Sequence, residues 1–342
     1  MGDTQDVKRY NLANLNPPIY RNNTHSSSRK FSELFDSYFY GKYSFDDFLS
    51  IDISKETKKI QLKDNKIIYS CSGKLKNIHR FINIFIINKL CIKEDIVFSY
   101  RAGKNVVDTI LPHSENKFFL QTDIYNFFPS ISINLIKETI LRGISNLEIT
   151  DIDDYVDYIL KLITIDNSLP IGFSSSPPMS NSCLYDIDNK ISIYCEQKRM
   201  KYTRYADDLI ISSMNLFDVN HVKNSIAKIL NEQKNASFIL NERKTKFFSK
   251  SQKIKMLGVV ILPTGRVTVD IKMKKKVESM IYFYLNDKDK LLDLSGLNYE
   301  DTLKNISGLL NHINTIDKKY LDKLRMKYGN TVVDMFFHKS VK

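Results

Sequence analysis

The run KYTRYADDLIISSM, residues 201 to 214, constrains the fold more than any other stretch of the chain. Alternating and β-branched residues on both sides of Ala206, Asp207 and Asp208 predict two antiparallel strands joined by a tight turn. Two like charges then stand side by side at a hairpin tip, where their repulsion has to be offset. A plain turn is one explanation, since aspartate is common in turns. A turn pair is normally followed by glycine, however, and here an apolar strand follows at once. A second stretch, FFLQTDIYNFFPSI (118 to 131), sets Asp123 at the C-terminal end of an apolar strand that closes in a turn at Pro129. A carboxylate buried alone there is costly, so Asp123 either caps a turn or has a cationic partner. One carboxylate on a strand and two at a hairpin tip can together form a nest for two Mg²⁺ ions, roughly 3.5 to 4 Å apart, of the kind that drives in-line phosphoryl transfer.

Composition narrows the context of that nest. A chain of 342 residues with 42% hydrophobic content has room for one large domain or two to three modest ones with a real core. Lys and Arg outnumber Asp and Glu by 51 to 39, a formal charge of +12. Such an excess points to a polyanionic partner, nucleic acid or an anionic membrane surface, unless it only solubilises the protein. Cys71, Cys91, Cys183 and Cys195 contain no CxxC pair and the six histidines do not fall at metal-ligand spacing, so neither a zinc site nor a disulfide framework is expected. The opening MGDTQDVKRYNLANLNPP lacks the apolar core of a signal peptide, and FINIFIINKL is too short to span a bilayer. A cytosolic protein with reduced thiols and no membrane partner is the expectation.

Along the chain, residues 1 to 35 read as a polar arm and FSELFDSYFYGKYSFDDFLS as a short helical region. KKIQLKDNKIIYSCS alternates like a hairpin around Asp64 and Asn65, carrying Lys58, Lys59, Lys63 and Lys66. Residues 73 to 90 predict an amphipathic helix, 133 to 165 a helical stretch, and 169 to 199 a Pro/Gly/Ser loop running into a helix. A helix over 218 to 235, a strand at ASFIL, and a Lys-rich helical region from about 272 to 328 complete the reading, the last marking a domain boundary.

With these elements in order, the chain resembles reverse transcriptases. YADD (205 to 208) looks like their catalytic hairpin, and TDIYNFFPSI like the strand that supplies their first metal-binding aspartate. LPIGFSSSPPMSNSCLYDID (169 to 188) is similar to the loop and helix lining the nucleotide and template pocket, NERKTKF (241 to 247) to the segment with a lysine near the incoming triphosphate, and MLGVVI (256 to 261) to the primer grip. The resemblance covers residues 60 to 265 and implies an α+β right-hand polymerase fold. Its fingers would span 36–113 with part of 133–170, its palm, an antiparallel sheet flanked by helices, 114–265, and its α-helical thumb 266–342. It implies that Asp123, Asp207 and Asp208 are catalytic and hold two Mg²⁺ ions, with Ile124 a further metal position. Lys244, Gly172, Phe128 and Arg101 are the implied nucleotide-binding positions, with Lys104 beside Arg101. Gly172, Ser174, Ser175 and Ser176 would let backbone approach a base pair. Phe128 matches the ring that blocks a ribose 2′-hydroxyl, implying a preference for deoxynucleotides, though it also reads as an aromatic core residue. Lys244 alone reads equally as a solvated surface lysine.

The RYADD form and the ending LKNISGLLNHINTIDKKYLDKLRMKYGN (303 to 330) look most like retron reverse transcriptases. In DTILPH (108 to 113), His113 matches a retron Asn-Ala-x-x-His element while Thr109 and Ile110 depart from it; MLG stands where retrons commonly read Val-Thr-Gly, and Ile171 where many reverse transcriptases have glutamine. A retron enzyme would copy part of a cognate structured non-coding RNA, from dNTPs, into branched RNA-linked single-stranded DNA (msDNA). It would act in anti-phage defence with a separate effector protein, a nuclease being one candidate. Lys272, Lys274, Lys275, Lys276, Lys323, Arg325 and Lys327 would contact the RNA, unless they form only a solvated face. A defence polymerase making unbranched DNA, a group II intron maturase and an inactive RNA-binding module are the alternatives.

Overall fold

The computed structural model describes residues 28–62 and 66–338. Most of the polar arm and the hairpin tip at Lys63, Asp64 and Asn65 lie outside the described residues. The first described elements form an aromatic helical layer. Helix α1 (Phe31–Phe39) buries Phe31, Phe35 and Phe39 at helical spacing, and α2 (Phe45–Leu49), closed by a Ser44/Asp47 capping box, adds Phe48. After the short α3 (Ile53–Glu56) and the hairpin β1 (Thr57–Gln61) and β2 (Ile67–Cys71), helix α4 (Gly73–Phe85) brings Phe81 within 5.5 Å of both Phe31 and Phe35. Each phenylalanine buried there contributes roughly 1.5–3 kcal/mol.

The β1–β2 hairpin itself buries little beyond Cys71, so it depends on docking. The Tyr69 amide donates to the Ile171 carbonyl (2.8 Å), and Gly172, at φ +108°, lies so close that an added Cβ would sit 2.2 Å from the Tyr69 carbonyl oxygen. The glycine is therefore required by protein backbone.

Helix α5 (Val106–Ile110) precedes β3 (Phe118–Asp123), which is followed by α6 (Ile133–Gly143), α7 (Val156–Ile163), α8 (Ser176–Cys183) and α9 (Tyr185–Gln197). Strands β4 (Lys201–Tyr205) and β5 (Asp208–Ser213), helix α10 (Val219–Asn231) and β6 (Lys246–Ser249) complete an antiparallel sheet of order β4-β5-β3-β6. Alternation along the strands separates two cores. Leu120, Leu209 and Ile211 join the large core with α9, α10 and the aromatic helices, whereas Phe119 and Ile210 join a second core.

That second core contains a separate antiparallel sheet, β7 (Ile254–Met256), β8 (Val259–Ile261) and β9 (Val267–Val269). Leu257 and Gly258 both have positive φ between the paired Met256 and Val259, the requirement of a two-residue primed turn. Five helices pack with it: α11 (Ile271–Asn286), α12 (Lys288–Ser295), α13 (Tyr299–Ile316), α14 (Lys318–Tyr328) and α15 (Asn330–His338).

The structure corrects four expectations. ASFIL is no strand but an extended segment with isolated bridges at Ala236 and Leu240, anchored by the buried Phe238. The 169–199 helix is two, since Leu184 leaves helical geometry between α8 and α9. The 133–165 stretch breaks after Gly143, where an added Cβ would lie 2.4 Å from Leu90. The amphipathic helix from 73 stops at Phe85, with a single 3₁₀ turn beyond it.

Gly172→Ala combines a left-handed backbone with a clash against rigid main chain, and is expected to cost roughly 1–3 kcal/mol. Hydrogen exchange at the Tyr69 amide is the decisive readout: it should accelerate in the variant, and unchanged protection would mean that this docking does not hold the hairpin.

Candidate active site

Register places the three aspartates together. Asp123 ends β3 directly opposite Asp208, the first residue of β5, and Asp207 precedes it in the turn, its carbonyl accepting from the Ile124 amide (3.0 Å). Asp123 is only 2% exposed, and its Oδ2 accepts from the Lys244 ammonium, the cationic partner that burial demands. Lys244 is mostly exposed, and its hydrogen bond to Asp123 raises its pKa. Gln121, two residues before Asp123 and so on the same face, donates to Asp208 Oδ1 at 2.9 Å. Burial pushes the pKa of both Asp207 and Asp208 above the ordinary carboxylate value, and the charge of Asp123 pushes in the same direction.

Among the described residues, no group of three acidic, histidine or cysteine side chains converges as a finished metal cage. Two carboxylates are instead drawn to Lys244 and Gln121. The residues nevertheless fit hard cations. Asp123 Oδ1 is buried with no hydrogen-bond partner among the described residues, and carboxylate oxygens are the donors that divalent magnesium prefers. Ile124 is buried and apolar, so only its main-chain carbonyl has metal-binding chemistry.

A buried ion pair holds the turn from behind. Asp188 on α9 and Arg204 on β4 are both fully buried; Arg204 Nε and Nη2 reach the carboxylate at 2.9 and 2.6 Å, and the Tyr202 hydroxyl adds a bond at 2.9 Å. Arg204 Nη1 also donates to the Ala206 carbonyl (3.0 Å) and to Asn181 (3.2 Å). The Ala206 amide donates to Ser99 Oγ at 2.8 Å, so a non-glycine residue at φ +58° is clamped on both sides. Behind the strands, His113 meets Ser212 at 2.6 Å and Thr203 at 2.8 Å, and burial lowers its pKa to about 3, leaving it a neutral brace.

A family profile described as "Reverse transcriptase (RNA-dependent DNA polymerase)" matches residues 57–261, more than half of the chain. The chain belongs to the reverse transcriptase family. It is an RNA-directed DNA polymerase of retron type, with an α+β right-hand polymerase fold. It is similar to the Retron Ec86 reverse transcriptase of Escherichia coli, with 24% identity over 336 residues, 96% of this chain and 97% of that one. The Ec83 enzyme of the same organism is 25% identical over 281 residues, 78% of this chain and 84% of that one. The Ec73 enzyme is 28% identical over 274 residues, 77% and 83% of the two chains. Among solved structures, apo telomerase from Candida tropicalis overlaps at a TM-score of 0.46 and 12% identity, covering 83% of this chain, which spans 61% of that one.

In this reverse transcriptase the remaining candidates are distributed unevenly. Phe128 is partly buried beside Phe127 (5.3 Å) and faces Tyr100 at 6.5 Å. Tyr100, unmarked in the sequence reading, has φ +58°, and burial together with the Asp207 charge pushes its pKa up to about 12. Arg101 is engaged by Glu94 and by the Glu94 and Val97 carbonyls, clamping its own loop. Lys104 lies 5.9 Å over the Phe98 ring. Ser175 and Ser176 are buried in protein, and the Ser174 carbonyl accepts from Asn83. Of the basic positions among the last helices, Lys274 pairs with Asp317, Arg325 with Asp322 and Asp334, and Lys327 with Glu278. Lys272, Lys275, Lys276 and Lys323 are exposed and have no ion pair among the described residues.

A carboxyl whose folded pKa lies above its unfolded value contributes stability below the unfolded value and loses it as pH rises through the folded one. The metal-free enzyme therefore carries a penalty at pH 7 that Asp207→Asn with Asp208→Asn removes. The double variant should melt above wild type at pH 7, the gap closing below about pH 4, near the ordinary aspartate value. Mg²⁺ at a hundred times its Kd should stabilise wild type by about 2.7 kcal/mol and leave the variant unmoved. Identical melting curves with and without the ion would remove the metal reading.

Proposed function

We propose that this enzyme is the polymerase of a retron, copying part of a cognate structured non-coding RNA into branched RNA-linked single-stranded DNA. The observation that carries this reading is the match over 96% of the chain to a retron reverse transcriptase. The enzyme works in the bacterial cytoplasm, takes dNTPs, and acts in anti-phage defence beside a separate effector protein that its RNA-DNA product holds in check.

Asp123, Asp207 and Asp208, with the Ile124 carbonyl, would hold two Mg²⁺ ions, which supply activation of the attacking hydroxyl and stabilisation of the leaving oxygen. The chain's own residues do the rest. Lys244, exposed above Asp123, supplies a mobile cation for the incoming triphosphate. The Arg204–Asp188 pair keeps Asp207 and Asp208 at fixed positions against β3. Phe128, packed against Phe127, excludes a ribose 2′-hydroxyl by its bulk. Gly172 and Arg101 act on the nucleotide through position, the first seating the 169–176 loop on the β1–β2 hairpin and the second stiffening its own loop.

The division proposed is an arm at 1–35, corrected at its end by α1, which starts at Phe31 and buries Phe31 and Phe35 in the core, then fingers at 36–113 with part of 133–170, a palm at 114–265 and a thumb at 266–342. The core shared by β7–β9 and α11–α15 favours counting those strands with the thumb. On the thumb, Lys272, Lys275, Lys276 and Lys323 meet RNA phosphates, while Lys274, Arg325 and Lys327 tie together the helices that carry them.

Nucleic acid extracted from the enzyme expressed with its native operon should contain a DNA species that shifts on treatment with a debranching enzyme and is absent from an Asp207→Ala, Asp208→Ala variant. DNA indifferent to debranching would instead mark a defence polymerase without a branch, and no DNA in either sample would overturn the polymerase roles of the aspartates. Phe128→Ala should raise ribonucleotide incorporation relative to deoxynucleotide by ~10-fold or more, corresponding to loss of about 1.4 kcal/mol of discrimination. Primer extension with matched rNTP and dNTP series measures that ratio, and an unchanged value would assign Phe128 to the core alone.

A further inference from the structure

Apolar side chains form a connected patch on the sheet, away from the aspartates. Phe118 lies five residues before Asp123 on β3, which is about 17 Å along a strand and, after an odd number of steps, on the opposite face. Its ring stacks on Phe247 of β6 (6.2 Å, 7°), and Phe247 meets Phe217 edge-on at 5.7 Å. Leu216, next to Phe217 in the chain, and Phe247 itself are 70% and 40% exposed. Isolated exposed apolar residues need no explanation, but a contiguous aromatic and aliphatic group does.

Leu216 and Phe217 also border a cavity of about 190 Å³ with Met200 and Val222 as further apolar lining and Tyr194, Lys198 and His221 on its polar side. Asp218, the acid in the lining, is committed to the N-terminus of α10, accepting from the Asn220 and His221 amides at 2.9 and 3.1 Å. The charged groups left at the mouth are thus basic: Lys198 lines the cavity and exposed Arg199 follows it in the chain.

We propose that this surface docks an acidic segment of a partner protein, which inserts one leucine or phenylalanine into the cavity and sets neighbouring carboxylates against Lys198 and Arg199. Aliphatic Leu216 on the rim suits a protein better than a nucleic acid, whose bases stack on open ring faces. The small volume selects a single side-chain anchor, and the cations Lys198 and Arg199 select acidic flanks.

The test uses the full-length enzyme and fluorescence anisotropy with three labelled hexapeptides: Glu-Asp-Leu-Phe-Asp-Glu, Lys-Lys-Leu-Phe-Lys-Lys and Glu-Asp-Ser-Ser-Asp-Glu. Only the first should bind. Leu216→Asp and Lys198→Glu, both at exposed positions, should each weaken it at least ~10-fold while leaving DNA synthesis on poly(rA) primed with oligo(dT) at the wild-type rate. That unchanged synthesis also shows that the variants are folded. The proposal fails if no peptide binds, if the basic or serine peptide binds equally, if neither substitution weakens binding, or if an RNA hexamer displaces the acidic peptide, which would reassign the surface to nucleic acid.

Discussion

Burying a guanidinium and a carboxylate together is unfavourable unless every polar atom of both finds a partner, and the Arg204–Asp188 pair meets that condition. Asp188 accepts from two guanidinium nitrogens and from the Tyr202 hydroxyl, while the remaining Arg204 donors go to Asn181 and to the Ala206 carbonyl. One interaction thereby joins α8, α9, β4 and the turn between β4 and β5. A left-handed alanine costs on the order of 1–3 kcal/mol, and here it is held on its carbonyl side by Arg204 and on its amide side by Ser99. The positions of Asp207 and Asp208 follow from that clamp, because it fixes the residue immediately before them.

The clamp brings together groups that repel. Asp123 and Asp208 face each other across adjacent strands, and burial raises the cost of charging Asp207 and Asp208. Lys244 and Gln121 offset part of this, yet Asp123 Oδ1 stays buried without a partner among the described residues. Local charge and global fold disagree here, as they do where a fold is kept for chemistry rather than for stability. The braces around the site have the opposite character: His113 is neutral and fully satisfied between Ser212 and Thr203.

The pleat of the central sheet carries this local arrangement outward. Phe119 and Ile210 point into the core of the C-terminal helices, while Leu120 and Leu209, their immediate neighbours, point into the core of the N-terminal ones. The same alternation puts Gln121 and Asp123 on one face and Phe118 on the other, so the carboxylates and the aromatic patch are separated by strand geometry alone. Strand β6 links the two, with Lys246 paired opposite Gln121 and Phe247 opposite Leu120.

Much of this was legible in the chain. Period-two runs ending in Asp123 and flanking Ala206 to Asp208 predict the strands and their turn, and a lone buried carboxylate predicts a cation beside Asp123. What stayed illegible involves partners distant in sequence. Lys244 lies 121 residues from Asp123, and Gln121 lies 87 from Asp208, although its i, i+2 spacing from Asp123 was a signal for the shared face. Nothing near Asp188 or Tyr100 marks them for the turn, and Gly172 answers to the Tyr69 backbone rather than to a feature of its own loop. Sequence periodicity determined the strands that carry the aspartates and which face of each carries charge, because those depend on neighbours two to four residues away. Tertiary structure alone decided which cation, amide and guanidinium reach the aspartates, because that depends on how the helices and strands close around them.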